Sequence, residues 1–265
     1  MLIYRYLKSH ALETIRDGLL KVSRLSEFND PFEGMFGMPE SFSAKEAKAY
    51  VEKEVKRPSI ECSPRLFGLK PHLPSVTRAY VVGYPKKRQE MLQAWSKGRD
   101  EFIHVVCFTS SKVSARDEVV MWSHYADNHR GVRLGFEITP VKTRTYALEA
   151  VNYTDERIQI ALDEEPDTTG EKMYAAHKTK SKAWEYEAEY RLLIHRERCE
   201  KGPGALGFRY SKSWLHSVDF GAACDESKII DPITDFVRTS QRSIKLRKAR
   251  YHESDFALVY DEIKV

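Results

Sequence analysis

Apolar positions along this chain recur with two periods, and the changes from one to the other outline its elements. Residues 2 to 7 alternate as a short strand. Residues 11 to 18 read as a helix capped by Ser9 and ended by Gly18, and residues 19 to 23 as a second strand. A turn follows, in which Asn29 and Asp30 can bond the backbone before Pro31. The pattern then turns charged and helical over 43 to 56, Pro-bearing and irregular over 57 to 84, and helical again from about 85 to 95. Residues 40 to 100 are therefore expected to form a helical insertion or lid.

Residues 104 to 110 start almost wholly apolar, as a central strand would. Beyond them Val119, Trp122 and Ala126 share one helical face, Glu118, Met121 and Tyr125 lie beside it, and Gly131 stands where a left-handed stop is expected. Strands are predicted over 131 to 138, 147 to 153, 190 to 195 and 214 to 220. Helices are predicted over 155 to 165, over 171 to 181 and from 225 toward 242, with a loop at 201 to 204 and a terminal hairpin of 243 to 251 with 256 to 260. The sum is a single compact α+β domain over 1–265, a mixed or antiparallel sheet with flanking helices.

Composition narrows the class. With 265 residues, 42% apolar and 11% aromatic, the chain can bury a large core. Its 43 Lys and Arg against 39 Asp and Glu leave a net charge of +4, which permits nucleic-acid or acidic partners without requiring them. Cys62, Cys107, Cys199 and Cys224 are far apart and follow no signal peptide, so reduced thiols and a cytoplasmic setting are expected. No apolar run approaches the roughly 20 residues of a membrane-spanning helix.

Several residues invite chemistry, each beside a plainer reading. Glu185, Glu187 and Glu189 alternate before the apolar Leu192-Leu193-Ile194, so as an extended strand they would share a face. Such repulsion is tolerated when the face is solvated, when Lys178, Lys180, Lys182 and Arg191 neutralise it, or when a cationic ligand does. Arg5, between Tyr4 and Tyr6, needs a carboxylate or phosphate partner if buried and none if exposed. The turn residues Asn29 and Asp30, with Glu33, could serve a site or only the turn. His124 and His129 lie five apart rather than at the spacing that puts two imidazoles on one helical face, so no metal is expected, and His124 is read as a hydrogen-bonding group of the core or cleft. Cys107 on its apolar strand reads as a core thiol. The basic residues Arg238, Arg242, Lys245, Arg247, Lys248 and Arg250 could contact phosphates or form a solvated surface.

Three segments carry a resemblance: Phe28-Asn29-Asp30-Pro31-Phe32-Glu33, Trp122-Ser123-His124-Tyr125 with Gly131, and Trp184-Glu185-Tyr186-Glu187-Ala188-Glu189-Tyr190-Arg191. Together with Tyr4-Arg5-Tyr6 they resemble a bacterial family known only as domain of unknown function twenty-nine seventy-one, which names no reaction. The opening strand with its central Arg, the short helix ending at Gly18 and the next strand also resemble the start of the ADP-ribosyltransferase fold. That resemblance implies a split sheet and an NAD site built from a His or Arg on the first strand, a Ser, Thr or Tyr on a middle strand and a late Glu. Arg5, the Thr109-Ser110-Ser111 segment and Glu187-Ala188-Glu189 match the order, although the middle motif departs from the usual Ser-Thr-Ser. It implies that Glu189 stabilises the ribosyl cation, Glu187 orients or deprotonates an acceptor, Arg5 holds a phosphate or ribose oxygen, and Ser110 supports the Glu and ribose. Trp122 or Tyr125 would wall the nicotinamide, with Asn29, Asp30 and His124 completing the cleft. The function implied is NAD-dependent transfer to a protein or nucleic-acid acceptor, in a bacterial toxin or phage-defence setting. A nucleic-acid-binding or nuclease-like module and a non-catalytic partner-binding protein are the alternatives.

Overall fold

The computed structural model describes residues 1–8, 10–41, 43–56, 73–161, 166–202, 205–240 and 242–264. Ser9, most of the irregular stretch (57–72), residues 162–165 of an expected helix, and Pro203 and Gly204 of the expected loop lie outside the described residues. The chain begins β1 (Leu2–Leu7), α1 (Ala11–Asp17), β2 (Leu19–Lys21), α2 (Ala44–Lys56), α3 (Leu73–Phe102), β3 (Ile103–Ser110) and α4 (Ala115–Tyr125). It continues through β4 (Val132–Glu137), β5 (Tyr146–Ala150), β6 (Asn152–Thr154), α5 (Pro166–Ala176), β7 (Thr179–Ser181) and β8 (Glu189–His195). Then come β9 (Glu200–Gly202), β10 (Ala205–Arg209), β11 (Leu215–Phe220), α6 (Asp231–Thr239), β12 (Lys245–Tyr251) and β13 (Leu258–Ile263).

These elements form two compact units, one of residues Met1–Pro31, Asp100–Asp155 and Lys178–Val265, the other of Phe32–Arg99 and Glu156–His177. The expected insertion falls in the second unit, which also takes in residues from 156 to 177. There Phe36, Met38 and Ile160 pack with Met91, Leu92, Trp95 and Met173, and Trp95 Nε1 donates to the Gly34 carbonyl at 2.8 Å. Helix α3 runs straight through Pro85, so residues 73 to 84 are helical and not irregular. Proline is common at helix starts, which is why Pro85 reads as one in the sequence.

The first unit is built on a mixed eight-stranded sheet in the order β13-β12-β11-β4-β1-β3-β8-β5, with β2-β10-β9 and β6-β7 as smaller sheets. Strand β1 is antiparallel to both its neighbours, and β11 and β12 are parallel. One face of the large sheet is apolar: Leu134, Phe136, Val218, Phe220, Leu192 and Ile194 join Ile15 of α1, Leu20 of β2 and Ile233 of α6 in the main core. Its other face carries a polar row. In-register partners share a face, and Tyr6, Arg133, Asp219 and Arg247 are successive partners across β1, β4, β11 and β12. Buried charges persist only when paired, and Asp219 holds both guanidinium groups, accepting from Arg133 Nε at 2.9 Å and from Arg247 Nε at 2.6 Å. Arg133 also bonds Glu118 of α4.

Several elements depart from expectation. The stretch 147 to 153 is two strands, β5 pairing with β8 and β6 with β7. The described part of 155 to 165 is not helical, since Ile160 is buried beside Phe36 and Met38 and the chain runs as a bridge between Gln159 and Gly37. The helix expected over 171 to 181 stops at Ala176, and residues 179 to 181 are the strand β7. Helix α4 ends through Asp127, Asn128 and His129, with φ of 50°, 50° and 64°, rather than through Gly131. Asp, Asn and His are the side chains that best tolerate this region. Gly131 is needed for closeness instead: a Cβ there would lie 2.1 Å from the Leu7 carbonyl oxygen and 2.9 Å from that of Ala126. Gly131→Ala is therefore expected to destabilise the fold by about 1–3 kcal/mol, the usual cost of overpacking, read as a lower denaturant midpoint; an unchanged midpoint would contradict the close approach. Among the described residues no helix is long and apolar enough to cross a membrane.

Candidate functional site

Strands β1 and β3 pair only at Ile3↔Ser110 and Tyr4↔Thr109. Past that point β1 stays with β4 down to Leu7↔Val132 and β3 stays with β8 down to Ile103↔His195, so the sheet opens between β1 and β3. A cavity of about 250 Å³ occupies the opening. Tyr4, Arg5 and Tyr6 line it from β1, and Val105, Cys107, Phe108 and Thr109 from β3. Ser23, Glu27, Phe28 and Asn29 close it from the segment after β2, Met121 and Tyr125 from α4, Lys180 from β7, Glu187 from the turn before β8 and Glu189 from the start of β8.

Arg5 is the register partner of Leu134, which puts it on the apolar face of the sheet. Its Nη1 donates to the Cys107 carbonyl at 3.0 Å and its Nη2 to the Lys21 carbonyl at 3.1 Å. The buried Nε has no hydrogen-bond partner among the described residues. Carbonyl dipoles hold the guanidinium without neutralising it, and burial lowers its pKa from the ordinary value. A half-buried cation in this state is set to accept an anion.

On the opposite wall the carboxylates are already matched. Residues Lys182–Glu187 form a 3-10 turn, Ala188 takes a left-handed φ of 44°, and Glu189 opens β8. The three glutamates thus do not share a strand face. Glu185 is exposed, whereas Glu187 and Glu189 both turn to Lys180, whose Nζ donates to Glu187 Oε2 at 2.6 Å and to Glu189 Oε2 at 3.0 Å. Arg191, fully buried, donates from Nε to Glu189 Oε1 at 2.9 Å. The Tyr125 hydroxyl donates to Glu187 Oε1, and the Tyr153 hydroxyl accepts from the Glu189 backbone N–H at 2.8 Å. The ring of Trp184 lies 5.0 Å from Lys180 Nζ.

Burial alone would raise the Glu189 pKa, but the Arg191 and Lys180 cations outweigh it and pull the group from 4.5 down to about 2. The Tyr125 hydroxyl is pushed up by burial and by Glu187, and the Cys107 thiol by burial and by Glu189, so neither ionises near neutrality. A carboxylate with a depressed folded-state pKa adds stability above its unfolded value and loses it as pH falls toward the folded one. For Glu189 that window runs from about 4.5 down to about 2. Acid titration of wild type should show a loss of stability there that Glu189→Gln lacks, and parallel acid profiles for the two proteins would contradict the pairing.

Of the residues singled out in the sequence, Arg5, Asn29, Tyr125, Glu187 and Glu189 meet in the cavity. Ser110 does not; its Oγ accepts from the Lys112 backbone at 3.1 Å, and Thr109, one step along the strand, faces the opening. Trp122 is not a wall of the cavity but core beneath it, wholly buried, edge-on to Tyr6 at 5.3 Å and donating to the Tyr260 hydroxyl at 3.0 Å. His124 is exposed beside Tyr186, and Asp30 is buried without lining the cavity. Lys180, Tyr4, Tyr6 and Phe28 were missed as lining residues. The Tyr-Arg-Tyr alternation was the available signal for the first strand, and none distinguished Lys180 from Lys178 and Lys182. Those two pair elsewhere, with Glu149 and Asp155. Among the described residues, no group of three or more His, Cys, Asp and Glu side chains is placed to hold a metal ion.

The comparisons with known proteins bear on this same region. A family model described as "Protein of unknown function (DUF2971)" matches residues 121–192. The matched segment runs from Met121 and Tyr125 through Lys180, Glu187 and Glu189 to Arg191, so it holds one whole wall of the cavity. No curated protein and no solved structure matches the chain.

Proposed function

We propose that the opening between β1 and β3 binds NAD and that the protein is an ADP-ribosyltransferase-like enzyme acting on a macromolecular acceptor. One observation carries the reading. Arg5, Thr109 and Glu189, far apart in sequence, stand on the adjacent strands β1, β3 and β8, where Tyr4, Thr109 and Glu189 are in register, and all three line one cavity. Their order along the chain is the Arg, Ser or Thr, Glu order that the resemblance implies.

The residues present suit the ligand. Arg5 Nε is a buried donor awaiting an anionic or ribose oxygen, and Tyr4, Tyr6, Phe28 and Tyr125 supply aromatic surface for a planar ring. At about 250 Å³ the cavity is smaller than the roughly 300–1,000 Å³ of sites that enclose a drug-sized molecule, so it takes the nicotinamide-ribose end while the rest lies outside. NAD supplies a glycosidic bond whose cleavage develops positive charge on the ribose. Glu189, fixed by Arg191, is the carboxylate that stabilises this charge, a role that needs preorganisation. Glu187, whose Oε2 accepts from Lys180 Nζ at 2.6 Å, is placed for proton transfer.

The nucleic-acid reading draws less support. Of the basic stretch, Arg238 pairs with Asp235, Arg250 with Asp261 and Arg247 with Asp219, while Arg242 and Lys248 donate to backbone carbonyls. Titration calorimetry tests the proposal: wild type should bind NAD, and Arg5→Met should bind it about tenfold more weakly or worse, the loss of a charged hydrogen bond. Binding that ignores the substitution would separate Arg5 from the ligand, and salt-sensitive binding of DNA or RNA with no NAD binding would favour the alternative.

A further inference from the structure

Lys180 shares Glu189 with Arg191 and is, among the described residues, the cation that pairs with Glu187. Its Nζ donates to Glu187 Oε2 at 2.6 Å and to Glu189 Oε2 at 3.0 Å, so one ammonium bridges two carboxylates that both line the cavity. The backbone fixes this meeting from two sides. Left-handed Ala188 turns the two glutamates toward one point, and β7 is held by the parallel pairing of Lys180 with Tyr153, whose hydroxyl accepts from the Glu189 backbone N–H at 2.8 Å. Resting on the NAD reading above, we infer that Lys180 is a positioning residue, whose ammonium clamps Glu187 beside Glu189 and keeps both charged for the reaction.

Two carboxylates sharing one site resist ionising together, and a cation between them removes that resistance. Without the ammonium the pair titrates as a unit and holds one proton to higher pH. Arg191 does not replace it, since it donates to Glu189 at 2.9 and 3.2 Å, and the Tyr125 hydroxyl that donates to Glu187 carries no charge. Burial works against the charge on Glu189, and Arg191 and Lys180 together overcome it. The other titratable groups facing the cluster are Tyr125 of α4, Tyr153 of β6, Tyr186 of the turn before β8 and Cys107 of β3, each pushed up first by burial, so none of them titrates in the acid range. Glu149, in register with Arg191 on β5, is paired with Lys178. Loss of the clamp is therefore distinct from loss of packing: it removes activity at low pH and returns it at high pH.

The test is nicotinamide release by the full chain against pH, on proteins shown to be folded by circular dichroism. Lys180→Met should move the acid limb of kcat/KM up by about 1–3 pH units, the usual effect of a charged neighbour. Lys180→Gln, which keeps a donor without the charge, should move it the same way if the Met variant does not fold. Lys180→Arg should keep the wild-type limb, as should Lys182→Met, whose lost amine pairs with Asp155 and does not line the cavity. A rate lowered by the same factor at every pH, an unmoved limb in the neutral variants, or a moved limb in Lys180→Arg overturns the clamp and leaves the NAD reading standing. If wild type releases no nicotinamide, the NAD reading falls, and carboxyl-carbon NMR titration of the same proteins decides the clamp. A glutamate carboxyl that titrates higher in the neutral variants than in wild type upholds it, and identical titrations overturn it.

Discussion

Glu189→Gln is expected to lower nicotinamide release at least about a hundredfold, because a neutral amide cannot stabilise a developing cation; losing one preorganised electrostatic group costs roughly 3 kcal/mol or more. The same change strikes the fold. Glu189 neutralises the fully buried Arg191 and, with Glu187, the buried Lys180, and a broken buried ion pair costs about 3–5 kcal/mol. The amide oxygen can still accept from Arg191, which places the loss toward the lower end. Rates must therefore be taken at a temperature where the variant is folded, checked by circular dichroism. A folded Glu189→Gln protein with wild-type turnover would remove Glu189 from the chemistry.

Asp219→Asn should have the largest effect on stability alone. Asp219 has no solvent exposure, accepts from Arg133 at 2.8 and 2.9 Å, and holds Arg247 at 2.6 Å, so it is the anion on which the polar row across the sheet depends. Arg133 also lies 4.1 Å from the centre of the Tyr4 ring. Glu118 remains as its partner, yet Arg247 loses its carboxylate altogether. The expected loss is about 3–5 kcal/mol, or roughly 10 °C in Tm for a chain of this size. Because Asp219 does not line the cavity, NAD affinity of the folded variant should change little. A Tm within about 2 °C of wild type would contradict the network.

What the sequence made legible follows the range of the interactions involved. Strand β1, helix α1 with its left-handed Gly18, and β2 depend on neighbours along the chain, and the pattern of residues 2 to 23 foretells them. The terminal hairpin of β12 and β13 is local in the same sense. The opening between β1 and β3 was not legible in the local pattern, since it depends on register between residues about a hundred positions apart. Among the site residues, Arg5, Glu187 and Glu189 stood out because a charge among alternating apolar or aromatic positions needs an explanation. The manner in which the two glutamates meet did not. Their spacing suggests one strand face, but the left-handed Ala188 breaks the alternation and both reach Lys180 by different routes. Ala has no preference for that conformation, so no sequence signal marked it. Lys180 was assigned to a helix because residues 171 to 181 are helix-forming, and its pairing with β6 overrides that propensity. His124 followed the aromatic motif it sits in, yet it lies on the outward side of α4.

The measurement that bears most directly on the central claim is nicotinamide release by the purified full chain incubated with labelled NAD, alone and with lysate proteins, DNA and RNA. The account predicts release of nicotinamide, with the ADP-ribosyl label carried onto one of the acceptors supplied. No release, no label transfer and no NAD binding under any of these conditions would contradict it.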